Sequence, residues 1–211
     1  MSSEAWIRAQ RLALLEHAAA SLRKNRIEAE VVPNAQRLLE RLEQLVPQTA
    51  SASSGGSVTL EQTGVLNWLR TSGRSYYAGD PHAPDCGTRE QIQFCDYYFM
   101  SANAITLNGE LYNVDGSGNR VSALAYGPAH VVVIAGANKI VRDLAAAEQR
   151  VLQRGAAAHK YRLRKDRLLR GLQNRHAHVL PDAHHCISAR ARPHPRLSAA
   201  GHLRLLNAPE T

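Results

Sequence analysis

The chain has 211 residues and a formal charge of +8 at pH 7. That length suits one domain with a sizeable core, and no stretch of about eighteen apolar residues supplies a transmembrane helix. No apolar signal-peptide core opens the chain, and Cys86, Cys95 and Cys186 have no metal-motif spacing, so a soluble cytoplasmic protein is expected, in a reducing compartment.

Residues 4–31 read as a helix followed by entry into a strand. Trp6, Ile7, Leu12, Leu14, Leu15 and Leu22 recur at roughly helical spacing and are expected to pack in the core. Asn25 to Val32 alternates into a β-prone run. Asn34 then opens a second helix, with Leu38, Leu39, Leu42 and Leu45 on one side and Pro47 as its stop. Helix, strand, helix is the beginning of an α/β layer fold.

Gly55-Gly56-Ser57 follows a run of small residues, and Thr59 with Gln62 is one way to start a helix running to Arg70. Backbone amides at a glycine turn before a helix form an anion-binding nest; a plain strand-to-helix turn is the other reading. Residues 71–90 are loop-like, punctuated by Gly, Pro and Asp. Gln91 to Met100 reads as a helix end passing into a buried strand, with Cys95 as a small core residue.

Ser101 to Thr106 comes at a strand's end, and Asn108-Gly109 is a hairpin-turn dipeptide. Glu110 to Val114 forms the returning strand. Asp115 to Arg120 is a second turn, rich in residues that accept positive φ. His130 to Ala135 is almost all apolar and β-branched, as in a parallel strand buried on both faces. Gly136-Ala137-Asn138-Lys139 is then expected to open a helix through Arg150. Strand, glycine turn, helix is the order that places ligands at the carboxyl ends of strands.

Taken together these pieces resemble the LUD (lactate-utilisation) domain family. They are Gly55-Gly56-Ser57-x-Thr59, Ser101-x-Asn103-Ala104-Ile105-Thr106, Asn108-Gly109, Asn113-x-Asp115-Gly116-x-Gly118-Asn119-Arg120, Gly127-Pro128 and Gly136-x-Asn138-Lys139-Ile140. The resemblance covers roughly residues 8–150. It implies an α/β parallel-sheet sandwich like that of the sugar-phosphate isomerase and CoA-transferase group, with its pocket at loop ends. It also implies a role in oxidising L-lactate to pyruvate beside iron–sulfur partner subunits, catalytic or accessory.

Lys139 and Arg120 are the two side chains near these turns able to hold a small carboxylate or phosphate, Arg120 by a bidentate fork. Asn103, Asn119 and Asn138 could orient it, and Asp115 is the turn carboxylate that could act as a base. The other reading of Asp115 and Arg120 is a structural brace. A helix start is a poor place for a cation unless an anion sits there too, which points Lys139 toward a ligand. Gly55, Gly56, Ser57, Thr59 and Thr106 complete the expected ligand site. A transferase-type nucleophilic carboxylate motif is absent, which counts against CoA transfer.

The basic excess sits at one end. Residues 1–150 hold 14 Lys+Arg against 15 Asp+Glu, while residues 151–211 hold 12 against 3 and seven of the ten histidines. This tail reads as a poorly ordered appendage to the 1–150 domain. A polyanion-binding arm, a divergent helical end and out-of-frame translation compete to explain it. The family's last helix is usually followed by a cysteine-rich segment. His159 to Gln173, back-translated and read one nucleotide later, permits such a segment, and Ala200 to Leu206 permits a strand bearing valine and tyrosine. A +1 shift between about Val151 and His159 is therefore the favoured reading. As translated, the cysteines an iron–sulfur centre requires are absent, and the cofactor is unassigned. His184-His185-Cys186 lacks the second ligand pair of a metal site. The expected partner is a small anionic metabolite, with no specific nucleic acid and no membrane; non-specific polyanion binding at low salt would follow from composition alone.

Overall fold

The computed structural model describes residues 3–80, 82–115, 118–155 and 202–206. Helix α1 (Ser3–Lys24) leads through Arg26, at φ 62°, into strand β1 (Glu28–Val32). Helix α2 (Ala35–Leu45) is capped by the Asn34 side chain, which accepts from the Arg37 amide at 2.8 Å. Then follow β2 (Ser51–Ser54), α3 (Val58–Gln62), α4 (Val65–Thr71), β3 (Ser75–Ala78), α5 (Arg89–Gln93) and β4 (Tyr97–Met100). The hairpin strands β5 (Ala104–Thr106) and β6 (Leu111–Tyr112) precede α6 (Asn119–Tyr126) and β7 (His130–Gly136). After these come β8 (Ile140–Val141), α7 (Leu144–Arg150) and β9 (His202–Leu206).

The main sheet has the order β1-β9-β7-β4-β2-β3 with every pairing parallel. A smaller sheet has the order β6-β5-β8. The α/β class and parallel sheet expected from the sequence are those of the structure. β7 shows why its run is apolar throughout. Val131, Val133 and Ala135 join a core with Leu15, Ala18, Leu22 and Tyr98, while Val132 and Ile134 join another with Leu38, Leu42, Leu60 and Phe99. Both faces are covered, so alternation with polar residues is lost. The Asn108-Gly109 hairpin also forms, with Gly109 at φ 80°.

Four local expectations give way. In α1 the buried residues are Leu15, Ala18, Ala19 and Leu22, whereas Trp6, Ile7, Leu12 and Leu14 are exposed because the helix's first half stands clear of the body. The helix expected from Thr59 to Arg70 is capped by Ser57 instead and is interrupted at Gly64, whose φ of 76° begins α4. The stretch 71–90 contains β3, paired along β2. Gly136 to Arg150 is not one helix: Ala137–Lys139 is a 3-10 turn, Ile140 and Val141 pair with β5, and α7 starts under an Asp143 cap. The β-branched pair Ile140-Val141 favours the strand, and Asp143 supplies the helix's first acceptor.

Most of the expected appendage lies outside the described residues, including His159 to Gln173 and His184-His185-Cys186. Its residues His202–Leu206 are a strand of the main sheet. Among the described residues no helix is long and apolar enough to cross a membrane.

Candidate functional site

Three neighbouring parallel strands, β2, β4 and β7, end at the segments Gly55–Ser57, Ser101–Asn103 and Gly136–Lys139. Open parallel sheets place ligands at such ends. The centre of this group is Ser101, almost fully buried. Its hydroxyl donates to the Ile134 carbonyl at 2.5 Å and accepts from Lys139 Nζ at 2.5 Å. Its carbonyl accepts from Arg120 Nη1 at 3.3 Å. The Arg120 side chain in turn lies over Gly55, where an added Cβ would meet Arg120 Cγ at 2.8 Å and the Tyr98 hydroxyl at 2.9 Å. Gly55, Ser101, Arg120 and Lys139 thus form one connected cluster.

Within it, several expected roles change. Asp115 Oδ1 accepts from Arg120 Nε at 2.6 Å and also from Nη2, while Oδ2 accepts from the Val121 amide at 2.8 Å. Arg120 Nη2 also donates to the Val114 carbonyl at 2.8 Å. The Asp115 carboxylate is therefore a brace that fixes Arg120 and the first turn of α6. The fork that could have gripped a ligand bidentately grips Asp115. Lys139 keeps its place at the end of β7, but on a 3-10 turn, so the helix-start argument for an anion beside it fails.

The asparagines are also used structurally. Asn103 Oδ1 accepts from the Val114 amide at 3.1 Å, and its carbonyl accepts from Arg150 Nη1. Arg150 Nε reaches the Asn138 carbonyl at 3.0 Å, so one guanidinium joins the loops after β4 and β7. Asn119 Nδ2 donates to the Tyr98 hydroxyl at 3.3 Å. Burial pushes the Tyr98 phenol well above its ordinary value, so it stays protonated. The Gly55 amide donates to the Phe99 carbonyl at 3.0 Å, extending the sheet instead of a nest. Gly56 is exposed, and Ser57 Oγ accepts from the Leu60 amide at 3.4 Å. The Thr59 carbonyl accepts from the Thr63 amide and hydroxyl. Thr106 is not brought to the cluster. It is fully buried in the small sheet, its hydroxyl donating to Glu110 Oε2 at 2.7 Å.

Ser101, Arg150 and Tyr98 are the residues that sequence reasoning missed. Ser101 opens one of the motifs, so its place at a strand end was a usable signal. Arg150 and Tyr98 act through contacts 47 and 21 residues away, which no local pattern records. A shallow hollow lined by Arg70, Arg74, Tyr76, Pro84 and Asp85 lies apart from the cluster. Its arginines are engaged, Arg70 with Asp85 at 2.9 Å and Arg74 with Glu43 and the Val46 carbonyl.

An iron–sulfur centre or a metal does not fit the described residues. Cys86 is exposed, Cys95 is buried with its thiol donating to the Ile92 and Tyr97 carbonyls, and among those residues no His, Cys, Asp and Glu group is placed to hold a metal.

A family model described as the LUD domain matches residues 15–167. A crystal structure of a DUF162 family protein from Deinococcus radiodurans, at 1.70 Å resolution, is similar over 94% of this chain and 97% of its own, with 11% identity and a TM-score of 0.50. At that identity the likeness is one of fold. No curated protein matches the chain.

Proposed function

The chain belongs to the LUD domain family, a family associated with lactate utilisation, and from that premise we propose that it serves the oxidation of L-lactate or a related 2-hydroxy acid to pyruvate, by binding a small organic anion where β2, β4 and β7 end. The observation that carries this reading is the Lys139 ammonium held on Ser101 at 2.5 Å, beside the Gly55-Gly56 turn and Arg120. A charged donor fixed by a buried hydroxyl at the ends of parallel strands is preorganised for a carboxylate. Thermal-shift titration with L-lactate and pyruvate tests it. Wild type should be stabilised and Lys139→Ala should not; equal shifts in both would overturn the site.

A second reading is a non-catalytic module that binds the anion and docks to iron–sulfur redox partners. It is favoured by the full engagement of Asp115, which leaves that carboxylate without the role of general base. Lactate-dependent dye reduction, measured with and without partner subunits, separates an enzyme from an accessory subunit.

A further inference from the structure

Asn113 follows directly on β6 and is nearly fully buried, at 5% exposure. Its carboxamide carries an acceptor, Oδ1, and a donor, Nδ2. Among the described residues neither atom has a hydrogen-bond partner. Buried polar groups are almost always paired, because an orphaned one keeps its full desolvation cost. Here both ends of one side chain are orphaned together. The neighbouring asparagines differ: Asn103 Oδ1 accepts from the Val114 amide, and Asn119 Nδ2 donates to the Tyr98 hydroxyl.

The chain on either side ties Asn113 to the Ser101 cluster. The Tyr112 carbonyl accepts from the Asn103 amide at 3.1 Å, and the Val114 amide donates to Asn103 Oδ1 at 3.1 Å. The Val114 carbonyl accepts from Arg120 Nη2, and Nη1 of the same guanidinium holds the Ser101 carbonyl. Side chains alternate along extended backbone. Tyr112 and Val114 turn to the small core around Ala104 and Ala147. Asn113 therefore shares the side of Leu111, whose core includes Ala102 and has Ala137 packed against it. Those two alanines belong to the segments Ser101–Asn103 and Ala137–Lys139. The orphaned amide is thus set beside the ends of β4 and β7, where the anion site lies.

We propose that Asn113 is the specificity-determining residue of that site and selects acids bearing a hydroxyl on the carbon next to the carboxylate. The inference rests on the function proposed above. A carboxamide is satisfied by one donor and one acceptor side by side. A 2-hydroxy acid presents that pair: its hydroxyl donates to Oδ1, and the adjacent carboxylate oxygen accepts from Nδ2. The second carboxylate oxygen is left as the acceptor for Lys139. A 2-oxo acid presents two acceptors, so Oδ1 faces an oxygen lone pair and stays unpaired. An acid with no substituent on that carbon leaves Oδ1 equally without a partner. Sites built to bond a substrate hydroxyl reject the analogue that lacks it, because a buried polar group is then left unpaired.

The test is isothermal titration of the full chain with L-lactate, pyruvate and propionate. Wild type should bind L-lactate about tenfold or more tightly than either of the others. Asn113→Ala should lose that margin: L-lactate weakens to the level of pyruvate and propionate, whose own affinities stay as they are. Without ligand the variant should melt near wild type, because the amide has no partner to lose. Circular dichroism checks folding, and Asn113→Val, closer in size and without polar atoms, repeats the titrations if Asn113→Ala does not fold. Equal binding of the three acids by wild type would overturn the proposal while leaving the carboxylate site of the proposed function standing. Equal weakening of all three acids in the variant, a ligand-free variant that melts far below wild type, or failure of both variants to fold would also overturn it, since each marks a structural amide. A wild type that binds none of the three acids would sink the anion site itself, and this inference with it.

Discussion

Lys139 and Ser101, 38 residues apart, are joined at 2.5 Å, and the Ser101 hydroxyl proton points to the Ile134 carbonyl. Ser101 is thus the acceptor toward the lysine and a donor toward β7. Ser101→Ala removes that acceptor from the lysine. The expected result is anion binding weakened about tenfold, close to 1.4 kcal/mol, with Ser101→Thr restoring part of it. Isothermal titration with pyruvate reads both variants.

Gly55 has no room for a side chain between the Tyr98 hydroxyl and Arg120. Gly55→Ala should therefore destabilise the fold by roughly 1–3 kcal/mol, the usual cost of overpacking. Tyr98→Phe deletes the oxygen at 2.9 Å, so the double variant should be less destabilised than the sum of the two single ones. Urea unfolding of all four proteins gives the coupling.

The Asp115–Arg120 brace separates structure from chemistry. Among the described residues, Arg120→Ala leaves Asp115, nearly buried, with the Val121 amide, and loss of one partner of such a pair costs about 3–5 kcal/mol. Asp115→Asn should likewise lower the melting temperature. An Asp115→Asn protein with unchanged melting and lost activity would instead make Asp115 a catalytic base.

Burial pushes the Cys95 thiol up to about 12, while Cys86 is exposed. At pH 8 iodoacetamide should modify Cys86 in the native protein and reach Cys95 only after unfolding, as peptide mass mapping will show. The folded-state value lies above the ordinary thiol value of 9.0. The associated stability is therefore complete below about pH 9 and is lost as pH rises toward 12.

An out-of-frame tail makes a prediction about DNA. In the +1 frame the codons for His159 to Gln173 should encode a cysteine-rich segment, and those for Ala200 to Leu206 a strand bearing valine and tyrosine. An early stop, or the lack of those cysteine codons, ends the idea.

The sequence made some features legible because their causes are local. Asn108-Gly109 announces a turn since one of its residues must take φ near 80°, and Asn34 announces a cap through a hydrogen bond three residues away. The run from His130 to Ala135 revealed burial on both faces. Other features depend on partners far along the chain. Ser75–Ala78 is only four residues long and becomes a strand through its pairing with β2. Asn119–Tyr126 begins where Asp115 holds the Val121 amide. The motif order set Gly55, Arg120 and Lys139 at turns and strand ends, yet Arg120's commitment to Asp115 could not be read from a spacing of five, since either a brace or a ligand fork fits it.

The small sheet is fastened to the large one at two adjacent places: Ser101–Asn103 between β4 and β5, and Ala137–Lys139 between β7 and β8. Its hairpin is fixed at the far end by Asn25, whose Nδ2 donates to the Asn108 and Gly109 carbonyls at 2.9 and 3.0 Å, while Gly109 packs against the Ser21 and Leu22 backbone. The last turn of α1 and Asn25 therefore bear on the hairpin that runs on from Ser101–Asn103. A substitution at Asn25 would release the far end of that hairpin, making the end of the first helix a remote adjuster of the geometry in which Ser101 meets Lys139.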